Sequence, residues 1–367
     1  MTLLTSEPSR LGCPHEVAIL FQGELVKYDA VIVVSFGGPE GVEEVMPFLD
    51  NVLRGKGVPE ARKVEVAHHY ELFGGVSPIN AQNRELVGHI QNGLREKGIE
   101  LPVLLANRNT EPFIPDVLQE CKEKGYHKLL TYVTSGFSCY SGCRQYRENL
   151  MSAQAEIGEG APTFDKIRTF FNHPLFIDVV SDKVSEALAL TPGDRETRVV
   201  FTAHSIPMGM AKTSPYVEQL SEAARLIGER LELSAWDLVY QSRSGPPQIP
   251  WLDPDICDHL DDLKNQGVES VVVSPLGFVS DHMEVLYDLD LEARDHAAGL
   301  DMHYVRASTP GNDPRMVDMI VELIRERLED WPERRTIGRL PAKHDVCPEN
   351  CCLPPRRPSP RTVKAET

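Results

Sequence analysis

Short runs of apolar, often β-branched residues recur along the chain, and each is followed by a longer stretch with helical spacing of its apolar positions. Such runs predict buried parallel strands, and the stretches between them predict amphipathic helices. The predicted strands are 28–35, 101–106, 128–134, 198–203, 237–241 and 270–274. The predicted helices are 40–53, 82–96, 114–123, 215–231, 253–266 and 282–296. This alternation predicts an α/β fold with parallel sheets.

A weak internal repeat divides the pattern into two parts. Residues 124–137 resemble residues 266–278, because each segment has a glycine at a helix end, a β-rich run and then Gly-Phe. The length of 367 residues also fits two domains at about 150 residues each. We expect an N-terminal extension over 1–27, two similar halves over 28–165 and 166–339, and a cysteine-containing tail over 340–367 with a disordered end. Ligands of such folds bind beyond the carboxyl ends of the strands.

Composition narrows the class of protein. Hydrophobic residues make up 41% of the chain and charged residues 25%, as in an ordinary globular protein. The formal net charge of −17 disfavours nucleic acid and anionic membranes as main partners. The sequence shows no secretory leader and no run of about 20 apolar residues that would cross a membrane. We therefore expect a cytoplasmic protein. Peripheral contact with a membrane through an apolar surface is an alternative.

Polar residues that can act in catalysis or bind a metal follow two of the predicted strands. His204 comes directly after a strand, where a histidine can act as a base or metal ligand near neutral pH or can simply support a loop. A row of carboxylates spaced to share one helix face follows the last predicted strand: Asp281, Glu284, Asp288 and Glu292. Such a row can guide a divalent cation or protons, or it can form a solvated face. Asp281 is also suited to cap this helix.

The chain has eight cysteines, and three of them lie within six residues near the C-terminus. Cys347, Cys351 and Cys352 offer soft ligands to a metal, and the loop that holds Cys139 and Cys143 is the expected source of a fourth. These ligands fit a tetrahedral zinc site or an iron–sulfur cluster, and their spacing does not separate the two. Unrelated core thiols are the alternative.

Five segments, in this order along the chain, resemble motifs of the ferrochelatase family: 35–39 (SFGGP), 69–80 (HYELFGGVSPIN), 204–207 (HSIP), 241–246 (QSRSGP) and 280–288 (SDHMEVLYD). The resemblance covers roughly residues 28–335. It implies the chelatase fold, in which two Rossmann-like halves with parallel sheets enclose a porphyrin cleft. It also implies an enzyme of haem biosynthesis that inserts Fe²⁺ into a porphyrin with loss of two pyrrole protons.

The resemblance further implies roles for individual residues. His204 and Glu284 would be catalytic and would contact the Fe²⁺ substrate, with Glu284 facing His204 across the macrocycle. Asp288 and Glu292 would form a path for metal or protons. The porphyrin would be bound by Phe36, Tyr70, Asn107 and Arg108. Phe36 lacks the phenolic oxygen that some relatives have at this position, so we expect it to pack on the face of the macrocycle.

In its cysteines the chain is similar to actinobacterial-type ferrochelatases that hold a [2Fe-2S] cluster. The resemblance assigns Cys143, Cys347, Cys351 and Cys352 as cluster ligands, with Cys139 as the alternative to Cys143. It favours coproporphyrin III, which yields coproheme, over protoporphyrin IX, which yields protoheme. Candidate partners for the propionates are Arg54, Lys56, Arg62, Arg108 and Arg144. We expect a monomer whose partners are a porphyrin and ferrous iron.

Two other classes of function remain as alternatives. A cobalt or nickel chelatase of the same fold usually has histidines at both key positions, so Glu284 favours an iron enzyme. A non-catalytic haem-binding or iron–sulfur protein is disfavoured because both His204 and Glu284 are present.

Overall fold

Two parallel four-stranded sheets organise the chain, of which the computed structural model describes residues 27–329, 331 and 333–354. The first sheet has the order β2-β1-β3-β4 and consists of Ala30–Ser35 (β1), Val103–Asn107 (β2), Lys128–Val133 (β3) and Thr163–Lys166 (β4). The second has the order β6-β5-β7-β8 and consists of Thr197–His204 (β5), Trp236–Gln241 (β6), Ser270–Ser274 (β7) and His303–Arg306 (β8). The equal strand orders confirm the predicted α/β class and its two similar halves.

Helices connect the strands in each sheet. Those of the first half are Val42–Leu53 (α1), Glu60–Glu71 (α2), Ile79–Glu96 (α3), Ile114–Glu123 (α4) and Gln145–Ile157 (α5). Those that follow are Pro174–Leu188 (α6), Met208–Ala211 (α7), Tyr216–Arg230 (α8), Ile256–Asn265 (α9), Met283–Leu286 (α10), Arg294–Gly299 (α11) and Pro314–Leu328 (α12). Two segments are π-helices, Tyr140–Arg144 before α5 and Asp288–Ala293 between α10 and α11.

The two halves share a hydrophobic core. One cluster of buried side chains contains Val33 of β1, Phe201 of β5 and Ile320 of α12, so apolar surface is continuous from sheet to sheet. Burial of this surface supplies the main driving force for holding the halves together. None of the helices that the structure describes is long and apolar enough to cross a membrane.

All six predicted strands are present, with ends shifted by no more than a few residues. The helix predicted at 282–296 is wrong as a single element, because the structure divides it into α10, the π-helix Asp288–Ala293 and α11. The extension over 1–27 and the disordered end of the tail lie outside the described residues, apart from Lys27 and the tail up to residue 354. The domain boundaries at 165 and 339 stay predictions.

Candidate active site

The carboxyl ends of the central strands carry candidate site residues, and the region beyond these strand ends is called the cleft below. In the first sheet, Ser35 at the end of β1 pairs with Asn107 at the end of β2. In the second sheet, His204 at the end of β5 pairs with Gln241 at the end of β6. Because these strands are parallel, the loops that follow them gather at one edge of each sheet, where ligands of such folds bind.

His204 and Glu284 are neighbours in this cleft. His204 Nε2 lies 3.5 Å from Glu284 Oε1, and the two side chains are 32% and 41% exposed. An aromatic macrocycle needs about 3.5 Å of clearance on each of its faces, so it does not fit between these two atoms. The expectation that Glu284 faces His204 across the macrocycle is therefore wrong for this structure. Both side chains lie on the same side of the site.

Backbone contacts hold the pair in place. Gln241 Nε2 donates to the carbonyl oxygen of Glu284 at 2.5 Å, and Tyr216 Oη donates to the carbonyl oxygen of His204 at 3.1 Å. His204 Nδ1 donates to the carbonyl oxygen of Ser205. Since a carbonyl oxygen can only accept, this bond leaves Nε2 of His204 directed at Glu284 and the cleft.

The residue that caps α10 is His282. Its Nδ1 accepts from the backbone N–H of Glu284 at 3.2 Å, and it lies 4.0 Å from Glu284 Oε2. The prediction that Asp281 caps this helix is wrong, because its carboxylate accepts from Arg306 and Thr309, each at 3.2 Å. Asp281 is therefore not part of the predicted row of carboxylates, and it forms an ion pair with Arg306 instead.

Charge in the cleft shifts the pKa values of the pair in opposite directions. Burial by itself would lower the pKa of His204, but the carboxylate of Glu284 raises it above its usual value. Burial would raise the pKa of Glu284, and His204 and His282 lower it. Burial also lowers the pKa of His282, which fits the neutral imidazole that its capping bond requires. These two shifts favour an imidazolium beside a carboxylate.

Asp288 lies behind this pair, at the start of the second π-helix. Burial, together with the nearby carboxylates of Glu284 and Glu292, raises the pKa of Asp288 to about 7, although Ser242 Oγ donates to it. Glu292 lies further along, where burial and Asp255 raise its pKa. Glu284, Asp288 and Glu292 thus form a series of carboxylates that leads away from His204.

The opposite part of the cleft comes from the first half. The Phe36 ring packs edge-on against Phe48, with centroids 6.0 Å apart, and Tyr70 packs on the other side of Phe48 at 5.5 Å. Burial and the charges of Glu284 and Asp288 raise the pKa of Tyr70, so this phenol lies within electrostatic reach of the carboxylates. The structure thus brings Phe36 and Tyr70 to the same cleft as His204.

Arg108 lies between two aromatic rings. Its guanidinium carbon is 5.5 Å from the centroid of Phe36 and 4.8 Å from that of Tyr146, and its Nε donates to Asn149. Asn107, by contrast, is 0% exposed and donates to the carbonyl oxygen of Glu111. The expectation that Asn107 contacts the porphyrin is therefore wrong for this structure, because its side chain is enclosed beneath the loop that it supports.

The candidate partners for propionates separate into groups. Lys56 is exposed over much of its surface. Partial burial lowers its pKa, as does the charge of Arg108, whereas the charge of Glu284 raises it. Arg54 donates to Asn51 and Arg62 pairs with Glu65, each at 2.5 Å on the surface. Arg144 lies at the cysteines and is not available to the cleft.

Sequence reasoning did not assign several residues that hold this site. His282, Gln241 and Ser242 position Glu284 and Asp288, and Tyr216 fixes the strand end at His204. The first three lie in segments that resemble the family motifs, which was the available signal. Tyr216 lies in α8, outside those segments, and its contact depends on the tertiary fold.

The cysteines of the tail meet the first half in a second site. The cavity lined by Cys143, Lys166, Arg144, Arg147, Cys347, Cys351 and Cys352 is called the cysteine cavity below. Cys351 Sγ and Cys352 Sγ are 3.6 Å apart, and Cys143 and Cys347 line the same cavity. His344 is also present, with Nε2 at 3.7 Å from Cys351 Sγ. His344, Cys347 and Cys351 place one potential ligand atom each within 4.8 Å of one another.

Cys139 has a different position from Cys143. Its Sγ accepts from the backbone N–H of Gly142 at 3.1 Å and lies 3.4 Å from Ser141 Oγ, so it caps the first π-helix. This helix presents Cys143 to the cysteine cavity. The geometry therefore brings Cys143 together with Cys347, Cys351 and Cys352, and leaves Cys139 in a capping position.

Comparisons with known proteins find relatives that match most of the chain. The family model described as Ferrochelatase matches residues 28–328. A protein of Rhodopirellula baltica named Ferrochelatase is 52% identical over 91% of this chain and 96% of its own length. A protein of Nocardia farcinica named Coproporphyrin III ferrochelatase is 49% identical over 90% of this chain and 98% of its own length. A protein of Streptomyces griseus with the same name is 45% identical over 93% of this chain and 97% of its own length. Among solved structures, SirB from Bacillus subtilis with Fe³⁺ is similar at a TM-score of 0.49 and 14% identity, covering 83% of this chain and 97% of that one.

Proposed function

Because this chain belongs to the ferrochelatase family, we propose that it inserts Fe²⁺ into coproporphyrin III and that His204 and Glu284 carry the reaction. The observation that supports this assignment is the 3.5 Å approach of His204 Nε2 to Glu284 Oε1 in the cleft. A nitrogen and a carboxylate oxygen that point to the same space can replace water around a ferrous ion.

The reaction replaces two pyrrole protons by one Fe²⁺ ion, so the site must receive two protons as the metal enters the ring. The pKa shifts of the pair favour protonated His204 beside ionised Glu284. Fe²⁺ at this pair would compete with the proton on His204 for the same nitrogen lone pair. The proton released from His204 and the two pyrrole protons then all need an acceptor that passes them out of the site.

Asp288 is the proposed acceptor. Its pKa of about 7 allows it to bind and release a proton near neutral pH. Ser242 holds one of its carboxylate oxygens, and Glu292 continues the series away from the cleft. The proposed path runs from His204 and Glu284 through Asp288 to Glu292 and serves either protons leaving or iron arriving.

The preference for coproporphyrin III rests on charge and on the names of relatives. Coproporphyrin III has four propionates, whereas protoporphyrin IX has two, so its binding needs more cationic partners. Lys56 and Arg108 are cations near Glu284 that can meet such carboxylates. The relatives from Nocardia farcinica and Streptomyces griseus are named for coproporphyrin III, which supports the same substrate here.

An anaerobic insertion assay tests this proposal. The protein is incubated with Fe²⁺ and either porphyrin, and the loss of porphyrin fluorescence is followed. We expect kcat/KM to be higher with coproporphyrin III, and His204→Ala to remove most of the activity with either substrate. A preference for protoporphyrin IX would overturn the substrate assignment. Turnover of His204→Ala near that of the unmodified protein would overturn the role of His204.

The cysteine cavity fits a [2Fe-2S] cluster as resident cofactor. Two thiolates on one tetrahedral metal are about 3.8 Å apart when the metal–sulfur bonds are about 2.3 Å, and Cys351 and Cys352 are 3.6 Å apart. Cys352 has a left-handed backbone (φ 52°), which is uncommon outside glycine and is often kept for function. Cys143, Cys347, Cys351 and Cys352 would hold the cluster, which when bound supplies a one-electron couple and a link between tail and first half.

The same cavity offers a second set of ligands. His344, Cys347 and Cys351 are close enough for a mononuclear ion such as Zn²⁺. Metal and sulfide analysis of the isolated protein separates the two. About two irons and two acid-labile sulfides per chain are expected, whereas a colourless protein with one zinc would overturn the cluster. The expected cytoplasmic location and monomeric state stay part of this proposal, and fractionation and gel filtration test them.

A further inference from the structure

We propose that Lys166 is the internal counter-ion of the cysteine cavity and that its ammonium raises the reduction potential of the [2Fe-2S] centre held there. This inference rests on the proposed cluster. Lys166 is a positioning residue in this view, because it acts on the metal through the sulfurs that ligate it. It is the last residue of β4, an edge strand of the first sheet, where its backbone is in register with Thr131 of β3.

The Lys166 side chain points into the cavity that the four cysteines line. Its Nζ donates to the carbonyl oxygen of Ile167 at 2.9 Å, which fixes the ammonium at this point. Cys143 lines the same cavity. The ammonium is thus held by a backbone oxygen of its own half, inside a cavity lined by four cysteines.

The groups that share the cavity with this ammonium are four cysteines and two arginines. In the part of the chain that the structure describes, Asp165 pairs with Lys128 and Arg327, and Glu148 pairs with Arg144. A lysine enclosed with sulfur rather than carboxylate is suited to an anionic group in the cavity.

The two arginines of the cavity have other partners. Arg144 Nη1 donates to the carbonyl oxygens of Glu349 and Cys351, and its Nε pairs with Glu148. Arg147 Nη1 donates to the carbonyl oxygens of Cys347 and Pro348 at 3.2 and 3.4 Å. The arginines therefore hold the tail through its backbone, whereas the Lys166 ammonium donates to its own half of the protein.

Electrostatics gives the direction of the effect. Four thiolates around two ferric ions and two sulfides leave a net charge of roughly −2, and one-electron reduction makes it roughly −3. A fixed positive charge near the sulfurs stabilises the more negative state, and hydrogen bonds to the sulfurs act in the same direction. Removal of the charge on Lys166 therefore favours the oxidised cluster.

The test compares Lys166→Met with Lys166→Arg in the full chain. The ratio of reduced to oxidised cluster is measured by visible absorbance and electron paramagnetic resonance in a titration at set potentials. At the midpoint of the unmodified protein, we expect Lys166→Met to lower this ratio at least about tenfold, which corresponds to about 59 mV for one electron. Lys166→Arg keeps the charge and should stay within about threefold. Lys128→Met, in the adjacent strand, is the control and should leave the ratio unchanged.

Each outcome bears on the inference. An unchanged midpoint in Lys166→Met with full cluster content would overturn it. If Lys166→Met does not retain iron and sulfide, retention in Lys166→Arg supports the role of the charge, and loss in both variants overturns it. Unmodified protein that contains no iron and sulfide would instead overturn the proposed cofactor before any variant is compared.

Discussion

Glu284 is held by its backbone, which leaves its carboxylate free for chemistry. Its N–H donates to His282 and its carbonyl oxygen accepts from Gln241, so neither positioning bond uses the carboxylate. The side chain is directed at His204 instead. A substitution that alters only the carboxylate therefore changes the charge of the site without removing the contacts that place residue 284.

Glu284→Gln tests this separation. The amide cannot accept or ligate as a carboxylate does, and it no longer stabilises imidazolium at His204. We expect kcat for iron insertion to fall by about 10²-fold or more, while the thermal unfolding midpoint stays close to that of the unmodified protein. Glu156→Gln, on the exposed side of α5, is the matched control and should leave kcat unchanged. A variant at residue 284 with normal kcat would show that the carboxylate takes no part.

Lys56 provides a prediction about substrate choice. It lies near Arg108 and Glu284, follows α1, and keeps much of its side chain exposed. If it binds a propionate, Lys56→Met should raise KM for coproporphyrin III by a few-fold with little change in kcat, because an exposed ion pair contributes about 1 kcal/mol or less. Lys97→Met, at the end of α3, is the control. An unchanged KM would remove Lys56 from the candidate partners.

At the scale of elements, both sites contain a π-helix. Tyr140–Arg144 presents Cys143, and Asp288–Ala293 begins with Asp288 and contains Glu292. A π-helix bonds i to i+5 and so rotates the residues after it relative to an α-helix, and it occurs often at functional sites. The bond from Glu292 N–H to the carbonyl oxygen of Tyr287 is of this kind. Side-chain directions around these segments therefore differ from those of a regular helix.

This irregularity limits what a periodicity argument can predict. The central strands were predictable because each is a continuous apolar run, as β1 and β7 are buried throughout. The edge strands β4 and β8 have half-buried, largely polar residues and give no such signal. The predicted row from Asp281 to Glu292 depended on one regular helix, but α10 begins at Met283, so Asp281 lies before the helix. Helix α12 was not predicted, although Asp313 caps it and Pro314 takes the first position, as at many helix starts.

The first π-helix separates the roles of two cysteines that sequence alone left exchangeable. Cys139 caps the helix through Gly142, whereas Cys143 faces the tail cysteines. Cys143→Ala should lose iron and sulfide on isolation. Cys139→Ala should keep both and lower the free energy of unfolding by about 1 kcal/mol, as loss of a helix cap does. Metal analysis and denaturant unfolding of both variants decide the matter, and the reverse pattern of iron loss would make Cys139 the ligand.

At the scale of the whole molecule, the tail connects parts of the chain that are distant in sequence. Leu340 accepts from Asn172, the N–H of Arg339 donates to Glu222 of α8, and Leu353 accepts from Thr213 just after α7. Arg144 binds the same tail from the first half. The tail therefore lies against both halves, and the cysteines lie where it meets the first.

Removal of the proposed cluster should loosen this arrangement without unfolding the sheets. A link from Cys143 to Cys347 closes a loop of about 200 residues. Loop entropy gives an upper bound of about 5 kcal/mol for the stabilisation that this closure contributes. The central strands keep the shared core that contains Val33 and Phe201. In Cys347→Ala, which loses one ligand, we expect faster amide hydrogen exchange over 337–353, where backbone groups depend on few partners. Exchange in β1 and β5 should stay slow, and the thermal midpoint should fall. Equal exchange in the tail of both proteins would mean that the hydrogen bonds from Arg144, Arg147 and Asn172 hold it without the cluster.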